Sequence, residues 1–248
     1  MKKQNLLFIS LLLSLGMGLF SCNFGGNGGN VQTFQSVPAV VGLNIDMGGT
    51  VMGTPYGYIA APSLDANPGD CIYLYQFTVD YDNQPSNQYY TATNISETGV
   101  DQSPIEMRSD SINVGDYILP LSNVSGLSNV YYQGKFFIGA DCNDKNPVFR
   151  LVYNSKDTII NGVMDFYLLA KPSSTDGSSS SSTVSSIYAF DLAAVLRQAR
   201  DTTVTVSSGS SSIDLRYIKA NLNYVSSVSA GIPTYSKLPN PFEIYIFP

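Results

Sequence analysis

"CIYLYQFTV", Cys71 to Val79, is the stretch on which the fold turns. It is rich in aromatic and β-branched residues and follows the turn signal Asn67-Pro68-Gly69-Asp70, so it reads as a strand. A strand sends alternate side chains to opposite faces, which puts Tyr73, Tyr75 and Phe77 on one face and Ile72 and Leu74 on the other. Both faces are then apolar, an arrangement that favours cover by a second domain over an exposed stacking platform. "QYYTATNI" (Gln88 to Ile95) follows after a polar connection and completes a hairpin.

The same texture extends downstream. "KFFIGA", "VFRLVY", "GVMDFYLLA", "SIYAF", "TTVTV", "IDLRYIKANLNYV" and the terminal "FEIYIF" are further strand candidates separated by turn residues. Short strands at this spacing indicate an all-β chain built as sandwiches or barrels. The exception is Asp191, placed to cap a short helix with Leu192, Val195, Leu196 and Ala199 on one face, ending near Arg200. The serine run Ser178 to Ser182, between two strand candidates, cannot offset its ordering entropy by apolar burial and reads as a mobile loop.

The chain begins with Lys2 and Lys3 and an apolar block from Leu6 to Leu15, too short to span a bilayer and of the length expected for a secretory signal. Leu19-Phe20-Ser21-Cys22 resembles the bacterial lipobox, which implies cleavage before Cys22 and lipid attachment to that residue. Residues 1–21 are therefore the signal and 22–36 the tether, of which Asn23 to Asn30 has almost nothing to bury. The mature protein is expected at the outer membrane, held through its lipid, with the leaflet left open between the periplasmic face and the cell surface. Acyl chains on one cysteine bury many methylenes at about 0.8 kcal/mol each, enough for a stable anchor.

Composition then narrows the function. The signal contains two lysines and no acid, so the formal charge of −6 for the whole chain becomes −8 for the mature 227 residues. An acidic surface argues against nucleic acid, whose phosphates require a basic footprint. There is no histidine, which removes the commonest general base, His-dependent triads and nearly every catalytic zinc arrangement. Tryptophan is absent too, while 17 tyrosines remain for stacking or half-buried strand positions. Glu97, Glu106 and Glu243 lie in no recognisable catalytic context, and the aspartates are those that turns require. No catalytic residue, metal ligand or cofactor is assigned, and the chain is read as a non-enzyme.

A few short motifs touch on metal, redox or modification chemistry. Asp141, Asn143, Asp144 and Asn146 raise a calcium loop, but Lys145 stands where a third oxygen ligand belongs, and Asp80 to Asn83 is similarly incomplete; both read as turns. Cys71 and Cys142, in a compartment that permits disulfides, are open either to one bridge or to two separate thiols. Asp110-Ser111-Ile112, Asp157-Thr158-Ile159 and Asp201-Thr202-Thr203 resemble the O-glycosylation signal of Bacteroides-type envelopes, marking Ser111, Thr158 and Thr202.

Taken together, the lipobox start, "NPGDCIYLYQFTVD", "QYYTATNISETGV", "VYYQGKFFIGADCNDKNPVFRLVYN" and "YAFDLAAVL" resemble the NigD-like lipoproteins of the Bacteroidales over about two thirds of the mature chain. The resemblance implies an N-terminal OB-like barrel, residues 37–115, followed by a C-terminal β-sandwich, residues 116–248, with a boundary near Gly115. It also suggests a role in bacteriocin immunity. The first partner reading is an unidentified protein or toxin; the alternatives are a glycan held by Tyr-rich β surfaces, or other copies of a fimbrial or adhesin subunit, since the chain ends in the strand-like "PFEIYIFP".

Overall fold

A computed structural model describes residues 30–44, 49–60, 66–85, 89–108, 115–144, 146–154, 163–173, 183–198, 203–208 and 211–246. Among them are fifteen strands and one short helix. The chain divides into two compact units, one up to Gly99 and one from Val100 onward. The sequence places the boundary near Gly115; of the intervening described residues, those up to Pro104 end one strand and Glu106–Arg108 form the next.

The first unit is a closed five-stranded barrel. Its strands are β1 (Val31–Asn44), β2 (Gly49–Thr54), β3 (Gly57–Ala60), β4 (Cys71–Asp80) and β5 (Tyr90–Pro104). They run in the order β3-β2-β1-β4-β5, and a parallel pairing of Ile59 with Tyr90 and Ala60 with Thr91 joins the last to the first. β4 and β5 are neighbours, as the hairpin reading required. The turn before β4 forms as the sequence indicated: Asp70 N–H donates to the Asn67 carbonyl at 3.0 Å, with Gly69 at a φ of 96° that a side chain resists. The same turn locks onto β1, with Gly69 N–H donating to Val41 O at 2.8 Å and Val41 N–H to Asp70 O at 2.9 Å. β1 starts at Val31, inside the stretch composition gave to the tether, because Phe34 and Val37 are core residues.

The alternation expected along β4 does not hold. Ile72 and Leu74 face the barrel core, but so do Phe77 and Val79, whereas Tyr75 is 51% exposed. The cause lies on the partner strand. Ser36 adopts a φ of 58°, and the ladder passes from Gln35↔Gln76 to Val37↔Leu74 without pairing Ser36 to Tyr75. Both strands change phase there, so Phe34 and Phe77 stack inside the barrel at 4.8 Å. Tyr73 and Tyr75 meet edge to face at 5.2 Å, the first buried and the second outward.

The second unit is a two-sheet sandwich. One sheet contains the end of β5, β11 (Val184–Asp191), β8 (Lys135–Cys142) and β7 (Ser122–Tyr132). The other contains β6 (Glu106–Arg108), β9 (Val148–Asn154), β10 (Val163–Lys171), β13 (Ser211–Ser229), β12 (Thr203–Ser208), β14 (Ile232–Lys237) and β15 (Phe242–Ile246). Inner faces from both sheets supply one core, including Phe136 and Ile138 of β8, Leu151 of β9, Phe166 and Leu168 of β10, Phe190 of β11 and Leu222 of β13. The terminal strand β15 is hydrogen-bonded to β13 from Ala220↔Phe242 to Arg216↔Ile246.

Asp191 caps α1 (Ala193–Gln198) as its position predicted: its Oδ1 accepts the Ala193 N–H at 2.8 Å. Leu192 and Val195 are fully buried in the sandwich core, and Leu196 packs against it. Ala199 of that expected face, the expected helix end near Arg200, and the serine run at 178–182 lie outside the described residues.

Candidate functional site

The sheet of β6, β9, β10, β13 and β14 has a second face, turned away from the sandwich core. Period-2 alternation sends Arg150 and Val152 of β9, Asp165, Tyr167, Leu169 and Lys171 of β10, and Asn221, Asn223 and Val225 of β13 to this side. Val152, Leu169 and Val225 form a small apolar centre, buried under Tyr117, Tyr167 and Val228. Tyr117 arrives on the segment that fills the gap where β10 and β13 part: Leu119 N–H donates to Ala170 O at 2.9 Å, and Leu121 N–H to Val225 O at 2.8 Å.

Polar groups surround that centre and hold one another in place. Tyr235, aligned with Val225 across the β13–β14 ladder, meets Tyr167 edge to face at 5.8 Å. Beside them Asp165 Oδ1 accepts Asn221 Nδ2 at 2.8 Å, and Asn223 Nδ2 donates to Phe166 O at 3.1 Å, fixing both amides. Arg150 lies 4.0 Å over the Tyr117 ring and Lys171 4.9 Å from it, a cation–π arrangement. Arg150 Nε also binds Glu106 Oε1 at 2.6 Å, and Arg108 takes the other carboxylate oxygen at 3.0 Å. Partial burial raises the pKa of the Tyr235 hydroxyl, although the residue is 38% exposed.

This surface offers aromatic rings, oriented amides, carboxylates and cations on rigid strands, which suits recognition of a polar partner with hydroxyl or amide groups. No local sequence pattern brings these residues together. Glu106 and its two arginine partners come from two strands, and Tyr117 from a connecting loop. The alternation Lys219, Asn221, Asn223 against Ala220 and Leu222 was the one readable signal, since it marks a strand with an amide-bearing outer face.

The residues singled out by motif have other positions. Cys71 is the first residue of β4 and Cys142 the last of β8; both are buried thiols and no disulfide joins them. Cys142 Sγ donates to Asp144 O at 3.6 Å, and burial raises its pKa, so it is a poor nucleophile. The carboxylates of the calcium-like segment serve separate turns and strands: Asp141 accepts from Asn123 at 2.7 Å and Ser185 at 2.5 Å, while Asp144 Oδ1 accepts the Asn146 N–H at 2.9 Å. Asp80 likewise accepts the Asp82 N–H at 3.1 Å and Asn83 Nδ2 at 2.7 Å. Cys22, Ser111, Thr158 and Thr202 lie outside the described residues.

The barrel and sandwich define an OB-type domain followed by a β-sandwich. Residues 29–98, the barrel, match the Lipoprotein OB domain family. Among solved structures, an uncharacterized protein from Parabacteroides merdae ATCC 43184 superposes with a TM-score of 0.61 at 14% identity, covering 87% of this chain and 100% of its own. A candidate lipoprotein from Bacteroides fragilis NCTC 9343 gives 0.52 at 17% identity, covering 87% and 99%. A NigD-like immunity protein from Bacteroides caccae ATCC 43185 gives 0.49 at 12% identity, covering 89% and 99%. No curated protein sequence matches this one.

Proposed function

We propose that the protein is a lipid-anchored outer-membrane protein that acts by binding rather than catalysis, and that the ligand class its geometry fits best is a saccharide. The observation carrying this reading is the Tyr167, Tyr235, Asn221, Asn223 and Asp165 group. Tyrosine faces stack on the C–H faces of sugar rings, while oriented amides and a carboxylate pair with ring hydroxyls. Attachment through Cys22 rests on the lipobox and on the lipoprotein character of the domain matched by residues 29–98.

Affinity electrophoresis through gels carrying bacterial envelope polysaccharides tests the saccharide reading. The intact protein is retarded, whereas Tyr235→Ala weakens retention about tenfold, the loss of one stacked ring at roughly 1.4 kcal/mol. Equal mobility of the two proteins with and without every polysaccharide tried contradicts it.

A protein or toxin partner, with the immunity role suggested by the NigD-like resemblance, is a second reading. It is favoured by the Arg150, Glu106 and Arg108 knot beside Tyr117, since Arg and Tyr anchor many protein interfaces. Loss of resistance to a secreted toxin on deletion of the gene supports that reading; unchanged resistance removes it. Self-assembly by exchange of the terminal strand has a built-in cost, because β15 must first leave its ladder with β13.

A further inference from the structure

The point where the tether meets the barrel is fixed and surrounded by aromatic side chains. Asn30 N–H donates to Asp82 Oδ2 at 2.7 Å, and Tyr81 N–H donates to Asn30 O at 2.9 Å, so the chain is pinned as it enters β1. Val31, the next residue, is 55% exposed. Phe34, a little further along β1, lies 4.6 Å from the ring of Tyr56 at the tip of the β2–β3 hairpin. Tyr56 and Tyr58 are 38% and 49% exposed. Behind them Tyr90 packs over Gly57, where an added Cβ would sit 3.1 Å from its ring, and Tyr81 meets Tyr90 edge to face at 5.1 Å. One end of the barrel is therefore capped by rings and carries outward apolar and tyrosine side chains.

Seven residues, 23–29, separate Cys22 from this end. Even fully extended, the eight Cα steps from Cys22 to Asn30 reach only about 26–29 Å, and a flexible chain of that length has a root-mean-square span on the order of 15 Å. We infer that the tether end of the barrel, presenting Val31, Tyr56 and Tyr58, rests on the headgroup layer of the membrane holding the anchor. The inference depends on the lipid anchor proposed above. Tyrosine is well suited to this boundary, with an apolar ring and a hydroxyl that stays hydrated. The carboxylates of Asp80 and Asp82 lie at the same end, opposite Val31 and against Asn30. The surface therefore suits neutral, zwitterionic headgroups, and its contact is apolar rather than electrostatic.

The chain contains no tryptophan, so a single introduced indole is a clean probe. The test uses full-length lipidated protein in phosphatidylcholine–phosphatidylethanolamine vesicles doped with brominated phosphatidylcholine. Tyr56→Trp, Tyr58→Trp and Leu43→Trp are compared; Leu43 is 70% exposed and lies near the far end of β1 from Val31. Vesicle flotation is measured on each. The expected result is flotation of all three, with blue-shifted, bromine-quenched emission from Tyr56→Trp or Tyr58→Trp and none from Leu43→Trp. Raising salt or adding anionic lipid leaves the quenching unchanged or reduces it. Flotation with unquenched emission from both hairpin variants overturns the contact while the anchor stands, as does equal quenching of the Leu43→Trp variant. Protein that fails to float overturns the anchor, and the contact with it.

Discussion

Replacing Asp191 separates two contributions that one side chain makes to the sandwich. Its Oδ1 caps α1 through the Ala193 N–H at 2.8 Å, and its Oδ2 pairs with Lys135 Nζ at 2.9 Å across the β8–β11 ladder. Loss of an N-cap costs about 1 kcal/mol. The ion pair adds only about 0.2–1 kcal/mol, because Asp191's side chain is 41% exposed although Lys135's is 17%. Asp191→Ala should therefore cost about 1–2 kcal/mol, and Asp191→Asn, which keeps a capping oxygen, about half that. Urea denaturation read by circular dichroism should show the midpoint falling with an unchanged slope. In a thermal scan Asp191→Ala should lower the melting temperature by about 2–8 °C.

The pH dependence has a definite sign. Burial alone would raise the Asp191 carboxyl, but the Ala193 N–H, the Lys135 ammonium and Arg197 outweigh it and hold the carboxyl below its ordinary range. A depressed folded value means the stabilisation is present above pH about 4 and is lost as pH falls through the folded value. The gap between the native protein and Asp191→Asn should close on acidification. Equal stability of Asp191→Ala and the native protein, or an Asn variant as costly as the Ala variant, would refute the cap assignment.

Phe136 is fully buried at the centre of the sandwich, 6.0 Å from Phe166 and 5.3 Å from Phe242, so Phe136→Ala should cost about 3–5 kcal/mol by chemical denaturation. Ser36→Val forces a β-branched residue into the left-handed region at the barrel's phase change and should destabilise by about 1–2 kcal/mol in the same assay. Reducing agent should leave the melting temperature unchanged, and a thiol reagent should label Cys71 and Cys142 at the rate of unfolding, because both are buried and not bridged. Immediate labelling of the folded protein would contradict that burial.

Strand identity was legible wherever apolar and β-branched residues clustered between turn signals. The runs "CIYLYQFTV", "KFFIGA", "VFRLVY" and "GVMDFYLLA" fall on β4, β8, β9 and β10. The cap at Asp191 was legible because one residue type at one position carries it. The face assignment of Phe77 was not, since the phase change is set by the backbone of Ser36, far away in sequence on the paired strand. β1 was hidden in part by its neighbours: Val31 and Phe34 belong to a barrel strand, but they follow a glycine-asparagine stretch that dominates local composition. The outer-face group was the least legible. Its pairings, Glu106 to Arg150 and Asp165 to Asn221, exist only after the sheet order is known.

On the proposed function, a saccharide binds the outer face of the seven-stranded sheet. Side-chain amide NMR of Asn221 and Asn223, recorded during titration with the polysaccharide fragment retained most strongly by the intact protein, tests it most directly. Saturable shifts are expected at both amides and at the Tyr235 ring, abolished in Asp165→Ala, which frees the amide that Asp165 orients. Shifts confined to the barrel, or none at these two amides while the fragment binds, would contradict it.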